Sequence, residues 1–141
     1  IANGLNKHAT AKITQVNVKK QKLPAPAGTY DRILIASPLY AGRTHKRVRQ
    51  FMEDNKAVLL QKPLYLCLTG MMEEQIEENI KRNFSEDFRH HARMVEWLGG
   101  KLELKKHNVF LRMMLKKMGA KESEEINRPE ALNKVVQQLA L

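Results

Sequence analysis

Two short segments contain the residues best suited to chemistry, because each follows an apolar run and consists mainly of small or turn-forming residues. The first is Ser37–Arg43, with the sequence SPLYAGR, and the second is Leu68–Met72, with the sequence LTGMM. Small residues let a backbone approach a flat ligand closely, and Tyr40 can stack on an aromatic ring. Either segment alone is explained equally well as an ordinary loop, because such turn-forming residues are common between strands and helices. Two such segments after neighbouring strands favour a binding site for a flat ligand.

Other reactive residue types give weaker signals. His90 and His91 are adjacent, so they point to different faces of a helix and make a poor metal-binding pair. Cys67 lies within an apolar run, where a small core residue is more typical than a nucleophile. The acidic run Glu73–Glu78 is typical of a solvated helix face rather than of paired catalytic carboxylates. We therefore expect no metal site, and the sequence identifies no catalytic side chain.

Composition limits the class of protein. The chain has 141 residues, 43% hydrophobic and 28% charged, which is typical of one globular domain with a real core. A single cysteine excludes an internal disulfide and fits a reducing cytosol. No apolar stretch reaches the roughly 20 residues that span a bilayer, and no signal peptide is recognised. The net charge of +10 should attract anions such as nucleotides, nucleic acid or anionic lipid, and charge alone does not choose among them.

Hydrophobic patterns predict alternating strands and helices. Arg32–Ser37 (RILIAS) and Pro63–Gly70 (PLYLCLTG) are short and almost wholly apolar, as in parallel strands covered on both faces. The other predicted elements are a helix over 1–9, a strand over 11–18, helices over 44–60, 73–84 and 85–98, a strand over 101–105, and helices over 109–118 and 128–141. This order predicts an α/β fold with a parallel sheet between two layers of helices.

Three stretches carry a resemblance to a known family. YDRILIASPLYAGRTHKRVRQFM (Tyr30–Met52) and KPLYLCLTGMMEE (Lys62–Glu74) resemble the third and fourth strands, with their loops, of the flavodoxin-like family. They are most similar to the branch that contains flavodoxin-domain proteins and menaquinone-dependent protoporphyrinogen oxidases. HARMVEWLGGKLELKKHNVFLRMMLKKMG (His91–Gly119) is similar to the same branch. The resemblance covers most of residues 30–119 and implies a single flavodoxin-like domain over residues 1–141, doubly wound, with the family strand order 2-1-3-4-5.

The resemblance implies that FMN is held noncovalently at the strand ends. The loop Ser37–Arg43 matches one side of the isoalloxazine site, with Tyr40 near the ring. The loop Leu68–Met72 matches the other side, with its backbone facing the pyrimidine edge. The implied cofactor-binding residues are Ser37, Pro38, Leu39, Tyr40, Ala41, Gly42, Arg43, Leu68, Thr69, Gly70, Met71 and Met72.

The sequence also departs from the family pattern. Family members bind the FMN phosphate with a Ser/Thr- and Gly-rich loop between the first strand and the first helix. No such loop is recognised in the sequence, which begins with Ile1 in what is expected to be the first helix. We therefore expect the domain to be N-terminally incomplete by about 15 residues, the usual length of a strand, a loop and a helical turn. The missing first strand would lie in the middle of the sheet and leave unpaired edges.

The basic stretch Lys105–Met118 has two interpretations. Its cations flank apolar residues, as in a helix that lies in a membrane interface. The same pattern describes a helix packed on a sheet with its lysines extending to solvent, and this second interpretation is favoured. The resemblance adds weight to the first, because the protoporphyrinogen oxidases of this branch use a lipid-soluble quinone.

Three functions follow as hypotheses. The first is an FMN-dependent oxidoreductase, for which the resemblance suggests protoporphyrinogen as donor and a quinone as acceptor. The second is a flavodoxin-type carrier that passes electrons only to proteins. The third, a basic nucleic-acid-binding module, is least favoured because no such motif is present and aromatic residues make up only 6% of the chain. We expect a cytoplasmic protein or one at the inner face of the membrane, with donor, acceptor and oligomeric state unidentified.

Overall fold

Three parallel strands form the centre of the fold in the order in which they follow along the chain. A computed structural model describes residues 12–71, 73–103, 109–117, 121 and 123–140. The strands are β1 (Ile33–Pro38), β2 (Leu64–Thr69) and β3 (Met94–Trp97), and β2 pairs with both neighbours. A separate antiparallel pair consists of β4 (Gly99–Glu103) and β5 (Ser123–Asn127).

Six helices surround or follow these strands in the described residues. They are α1 (Lys46–Asp54), α2 (Lys56–Leu59), α3 (Ile76–Asn83), α4 (Glu86–His91), α5 (Val109–Lys117) and α6 (Pro129–Ala140). Single 3-10 turns occur at Ala27–Thr29 and Glu73–Gln75. In this part of the chain no helix has both the length and the apolar character needed to cross a bilayer.

Helices cover both faces of the sheet, which explains the unbroken apolar run of β2. On one face, Leu64, Leu66 and Leu68 are completely buried. The residues that pack there with them are Ile35 of β1 and, from or beside the helices, Val48, Met52, Leu59, Phe84 and Phe88. On the other face, Tyr65, Cys67 and Met94 pack against Val135 of α6. Removing a side chain such as that of Leu66 would cost about 3 kcal/mol of folding free energy. The predicted α/β fold, with a parallel sheet between helices, is confirmed.

The third strand of the sheet lies where the sequence predicted a helix. The prediction ran one helix from residue 85 to residue 98, but α4 ends at His91, and Met94–Trp97 pairs with β2. The apolar residues Phe88, Ala92, Val95 and Leu98 are spaced as on a helix, so the local pattern pointed the wrong way. Residues 94–97 form a strand because their pairing with β2 gives hydrogen-bond partners to the backbone N–H and C=O groups along that edge of β2.

Other element predictions differ less. The predicted strand over 11–18 is wrong within the described residues, since 12–17 have no strand partner and residues 18–20 form a turn. The strand over 101–105 begins two residues earlier, as β4, and the helix over 44–60 is divided at Asn55 into α1 and α2. Strand β5 was not predicted. The helix expected over residues 1–9 lies outside the described residues.

One edge of β1 faces a cavity. Within the described part of the chain, β1 has a strand partner on one side only, namely β2. A cavity of about 160 Å³ lies beside β1 and is lined by Ile33 and Ile35 of the strand and by Thr14, Val16 and Val18 of the preceding segment.

Candidate functional site

The two loops identified in the sequence meet at the carboxyl end of the sheet. Leu39 donates its backbone N–H to the carbonyl of Thr69 at 2.8 Å, which joins the loop after β1 to the loop after β2. The Leu39 side chain also packs on Gly70, where a Cβ would lie 3.4 Å from Leu39 Cβ. In open parallel sheets this end of the strands is the usual place for a ligand.

The loop after β1 contains a tight hairpin from Tyr40 to Arg43. These two residues exchange backbone hydrogen bonds of 2.8 and 3.1 Å. Ala41 and Gly42 between them both have positive φ, at 49° and 73°, which is the geometry of a type I′ turn. Glycine adopts this conformation freely, whereas alanine does so at a cost of about 1 kcal/mol. The hairpin is therefore a defined structure and not a loose connection.

Helix α3 anchors this hairpin through one side chain. Asn83 Oδ1 accepts a hydrogen bond from the Thr44 N–H at 2.7 Å, and Asn83 Nδ2 donates to the Gly42 carbonyl at 2.8 Å. Gly42 also approaches Asn79 so closely that a Cβ would lie 2.9 Å from Asn79 Oδ1. Neither asparagine was predicted from the sequence. The signal available was their spacing of four residues, which places them on the same side of a charged helix.

The hairpin presents Tyr40 to solvent. The Tyr40 side chain is 56% exposed, and the Lys19 ammonium lies 5.1 Å from the centre of its ring, within cation–π range. Pro38, Ala41 and Arg43 are also exposed. Ser37, by contrast, is only 2% exposed and donates its hydroxyl to the Pro38 carbonyl. Among the residues predicted in this loop, the exposed ones are those that could touch a ligand with their side chains.

The loop after β2 uses its backbone within the protein. The Gly70 N–H donates to the Gly99 carbonyl at 2.9 Å, and the Gly70 carbonyl accepts from Trp97 Nε1 at 3.1 Å. The Leu68 carbonyl accepts from the Leu98 N–H, and the Leu68 side chain lies in the core. Thr69 and Met71 are half-buried, and Met72 lies outside the described residues. The expected contact between this backbone and a flavin stays a prediction, and Gly70 has no free N–H for it.

A pair of glycines after β3 makes this arrangement possible. Gly99 has φ of 78°, and a Cβ there would lie 2.0 Å from the Ile126 carbonyl oxygen. A Cβ on Gly100 would lie 2.7 Å from the Gly70 carbonyl. The sequence pattern predicted a helix end at this pair, so neither the two glycines nor the neighbouring Trp97 were predicted as residues of the site. A glycine pair directly after an apolar run was the available signal for close backbone approach.

Cations surround the hairpin. We define the basic face as Lys19, Arg43, Lys46 and Arg47. Arg47 Nη1 donates to the Lys19 carbonyl at 3.2 Å, and Lys19 in turn lies over Tyr40, so the turn at 18–20, the hairpin and α1 meet here. Within the described residues, none of the four side chains forms an ion pair with an acid.

His45 reports the positive potential at the basic face. Its pKa lies below the ordinary histidine value, first because of desolvation and then because of the charges on Lys19, Arg47, Lys46 and Arg49. Its Nδ1 accepts a hydrogen bond from the Arg47 N–H at 3.2 Å, which caps the first turn of α1.

The remaining candidate residues have structural surroundings. Cys67 is completely buried, and burial, with a smaller contribution from Glu96, raises its pKa to about 12, so it is a core residue as expected. His91 Nε2 lies 2.8 Å from the Lys62 carbonyl oxygen, while His90 Nε2 lies 3.9 Å from Glu86 Oε1, so the two rings have different neighbours. Among the described residues, no group of three or more His, Cys, Asp and Glu is placed to hold a metal ion.

The basic stretch Lys105–Met118 includes α5 and lies partly outside the described residues. Val109 is 70% exposed and Met113 is 56% exposed, and the two are four residues apart on the same helix face. Lys117 in the last turn is exposed as well. An exposed apolar pair beside a cation is one element of an interfacial helix.

The chain matches a known protein family. The family model described as a flavodoxin domain matches residues 1–128. The match spans both loops and all five strands. No curated protein and no solved structure matches the chain.

Proposed function

The chain belongs to the flavodoxin domain family, and from this premise we propose that it binds FMN beside the loops after β1 and β2 and transfers electrons through it. The observation that carries the proposal is the hairpin, which holds an exposed Tyr40 at the carboxyl end of the sheet. Bound FMN would supply the electron-transfer chemistry, so the protein needs no acid or base of its own. In this proposal, residues 1–141 form a single flavodoxin-like domain.

The described residues fit a flat aromatic cofactor on the side of the hairpin. Tyr40 offers an exposed ring, and Asn83 fixes the backbone on which it stands. On the other side, the proposed contacts rest on Thr69, Met71 and Met72, because the backbone groups of Gly70 already have partners. The proposed site is thus Ser37–Arg43 with Leu68–Met72, and its exposed hairpin residues are the main determinants of affinity.

We propose an oxidoreductase as the first candidate function, with protoporphyrinogen as the specific donor and a quinone as acceptor. Its support is the similarity of His91–Gly119 to the branch of the family that contains such oxidases. The exposed pair Val109 and Met113 offers an apolar surface near which a lipid-soluble acceptor could bind. This role places the protein in the cytoplasm or at the inner face of the membrane.

A flavodoxin-type carrier is the second candidate function. It is favoured by the position of the basic face, which surrounds the exposed Tyr40 and has no acidic partner among the described residues. A carrier gives its electrons to other proteins, so it needs an exposed docking surface near its cofactor.

FMN titration followed by absorbance tests the shared part of both candidates. Binding should shift the flavin absorption bands, and Tyr40→Ala should weaken the affinity by about tenfold because it removes the aromatic contact. Tyr40→Phe is the matched control and should bind as the parent does. The titration uses the 141-residue chain and a version that includes any residues its gene encodes before Ile1. Absence of binding to both, in samples that circular dichroism shows to be folded, would contradict the proposal.

Reductive titration of the FMN-bound protein then separates the two candidates. An oxidoreductase should be reduced by protoporphyrinogen and reoxidised by menaquinone in repeated turnovers. A carrier should react slowly with both, and its flavin should accept electrons in two resolved single-electron steps. Turnover with menaquinone would exclude the purely protein-linked role.

A further inference from the structure

The positive charge of the molecule is concentrated in one part of the chain. Residues 12–52 contain nine lysines and arginines and a single acid, Asp31, whereas residues 53–141 contain fifteen cations and fourteen acids. The net charge of +10 therefore comes almost entirely from the first of these stretches. Such an asymmetric distribution acts on charged partners at long range, in contrast to an even scatter of charges.

Four of these nine cations, those of the basic face, lie in or next to the hairpin that holds Tyr40. Lys19 lies over the Tyr40 ring, Arg47 donates to the Lys19 carbonyl, and Arg43 closes the hairpin on which Tyr40 stands. Lys46 occupies the first turn of α1, where the helix dipole adds further positive potential. The lowered pKa of His45 agrees with this arrangement, since all its charge-related causes are cations.

Several cations elsewhere in the described chain have acidic partners. Lys101 pairs with Glu103 and Glu125, while Arg128 and Lys134 share Glu96. The four side chains of the basic face have no such pair among the described residues. The face therefore keeps its attraction for an external anion.

We propose that the basic face is the docking surface for an acidic electron-transfer protein, which binds over Tyr40 and takes electrons from the cofactor. The electron step rests on the proposed function, whereas the docking step rests on the charges alone. In each encounter the reduced flavin loses one electron and the partner's one-electron centre, a haem or an iron–sulfur cluster, gains it. Any proton that the flavin releases passes to solvent.

The side chains at this surface favour a protein over a lipid or a nucleic acid. Tyrosine and arginine are enriched at protein interfaces, and this face combines Tyr40 with Arg43 and Arg47. A lipid surface would need several apolar side chains to insert, and a single-stranded nucleic acid would need several stacking platforms. Among the aromatic side chains whose burial the structure describes, Tyr40 is the exposed one, and Lys19 already covers it in part.

A charge-reversal pair tests the docking. Lys19→Glu/Lys46→Glu removes two members of the face, and a glutamate at position 46 is compatible with the first turn of a helix. Lys62→Glu/Arg93→Glu makes the same change in net charge at the opposite end of the strands, just before β2 and β3. Neither pair includes a residue of the proposed FMN site.

The probes are two small haem proteins, an acidic b-type cytochrome and a basic c-type cytochrome. Haem reduction by the photoreduced, FMN-bound protein is followed by stopped flow at low and high salt. The parent and the Lys62/Arg93 control should reduce the acidic cytochrome at least about tenfold faster than the basic one at low salt. This difference between the two rates should vanish at about 0.5 M salt, because salt at that concentration screens the charges almost completely. The Lys19/Lys46 variant should lose it at low salt as well.

Equal rates with the two cytochromes, or an unchanged preference in the Lys19/Lys46 variant, would overturn the proposal. Calorimetry of the flavin-free protein with the acidic cytochrome measures docking by itself, so failure to bind FMN and failure to dock give different results. Phosphatidylglycerol vesicles and a DNA oligonucleotide are the comparison ligands. If the variant loses affinity for either of these but not for the acidic cytochrome, the basic face serves that ligand and the docking proposal is wrong.

Discussion

The hairpin after β1 and the loop after β2 lie side by side, yet different groups hold them in place. The hairpin is fixed by a side chain, because Asn83 of α3 bonds to the backbone of Gly42 and Thr44. The loop after β2 is fixed by backbone contact with Gly99 and by the indole of Trp97. A loop held from behind by a side chain can present its own side chains to solvent, as the exposed Tyr40 shows.

The two regions also differ in charge. The cations beside the hairpin have no acidic partner in the described residues, whereas Glu96, next to Trp97, lies between Arg128 and Lys134. Arg128 also lies over the Trp97 ring, 5.4 Å from its centre. The charged groups near the loop after β2 are therefore paired within the protein, whereas those beside the hairpin remain available to a ligand or a partner.

Gly99→Ala should have the largest effect, and it tests the backbone contact of the second region. An alanine Cβ would lie 2.0 Å from the Ile126 carbonyl at a positive φ, so the pairing of β4 and β5 would have to move. We expect a loss of about 3 kcal/mol in the free energy of unfolding, measured by urea denaturation.

Gly28→Ala is the matched control for this substitution. The nearest atom to a Cβ at Gly28 is 3.8 Å away, an ordinary contact, so the change should be within about 0.5 kcal/mol of zero. Equal stability of the two variants would show that β4 does not approach β5 as closely as described.

Asn83→Ala should have a smaller effect and tests the side-chain anchor of the first region. The substitution removes the bonds to Thr44 and Gly42 and leaves the Thr44 N–H without its partner, so we expect a loss of about 2 kcal/mol. Hydrogen exchange of the Thr44 amide should accelerate in native conditions, together with weaker FMN binding in the proposed site.

Asn83→Asp is the control that separates the hydrogen bond to the Thr44 N–H from the hydrogen bond to the Gly42 carbonyl. Aspartate keeps an oxygen acceptor for the Thr44 N–H but cannot donate to the Gly42 carbonyl. Thr44 should then stay protected from exchange while stability falls in part. Unchanged exchange at Thr44 in Asn83→Ala would show that the hairpin does not depend on α3.

Local sequence pattern was sufficient for the centre of the fold and insufficient for its edge. β1 and β2 were predictable because strands covered on both faces read as continuous apolar runs. β3 was not, because Val95 and Leu98 continue the helical spacing of Phe88, and the decisive contact is the pairing with β2. β5 has the polar sequence SEEIN, so only its pairing with β4 marks it as a strand.

The site divides in the same way. The small residues of the two loops and the ring of Tyr40 stood out in the sequence, and the contact between the loops was predictable from the parallel sheet. Asn83 and Trp97 did not stand out, because their bonds to Gly42 and Gly70 join residues 41 and 27 positions apart. Single-sequence patterns carry no information about contacts at that separation, however specific the geometry is.

The pKa of His45 should show the smallest effect, and it tests whether the cations beside the hairpin act together. Lys19→Glu/Lys46→Glu replaces two of the charges that lower this pKa, so the pKa should rise toward the ordinary value.

Because the pKa of His45 in the folded protein is depressed, the folded state holds fewer protons than the unfolded state. The contribution of neutral His45 to the stability of the fold is therefore complete above its pKa in the unfolded chain, about 6.5. This contribution is lost as the pH falls through its pKa in the folded protein. The variant should lose less stability over that range. Its Arg47 N–H should lose its bond to His45 Nδ1 at a higher pH than in the parent, because a ring with a higher pKa is protonated earlier as the pH falls. Titration of the His45 ring by NMR measures this shift, with Lys62→Glu/Arg93→Glu as the control for net charge. An equal rise in both variants would mean that His45 senses the charge of the whole molecule, and the basic face would not act as a local unit.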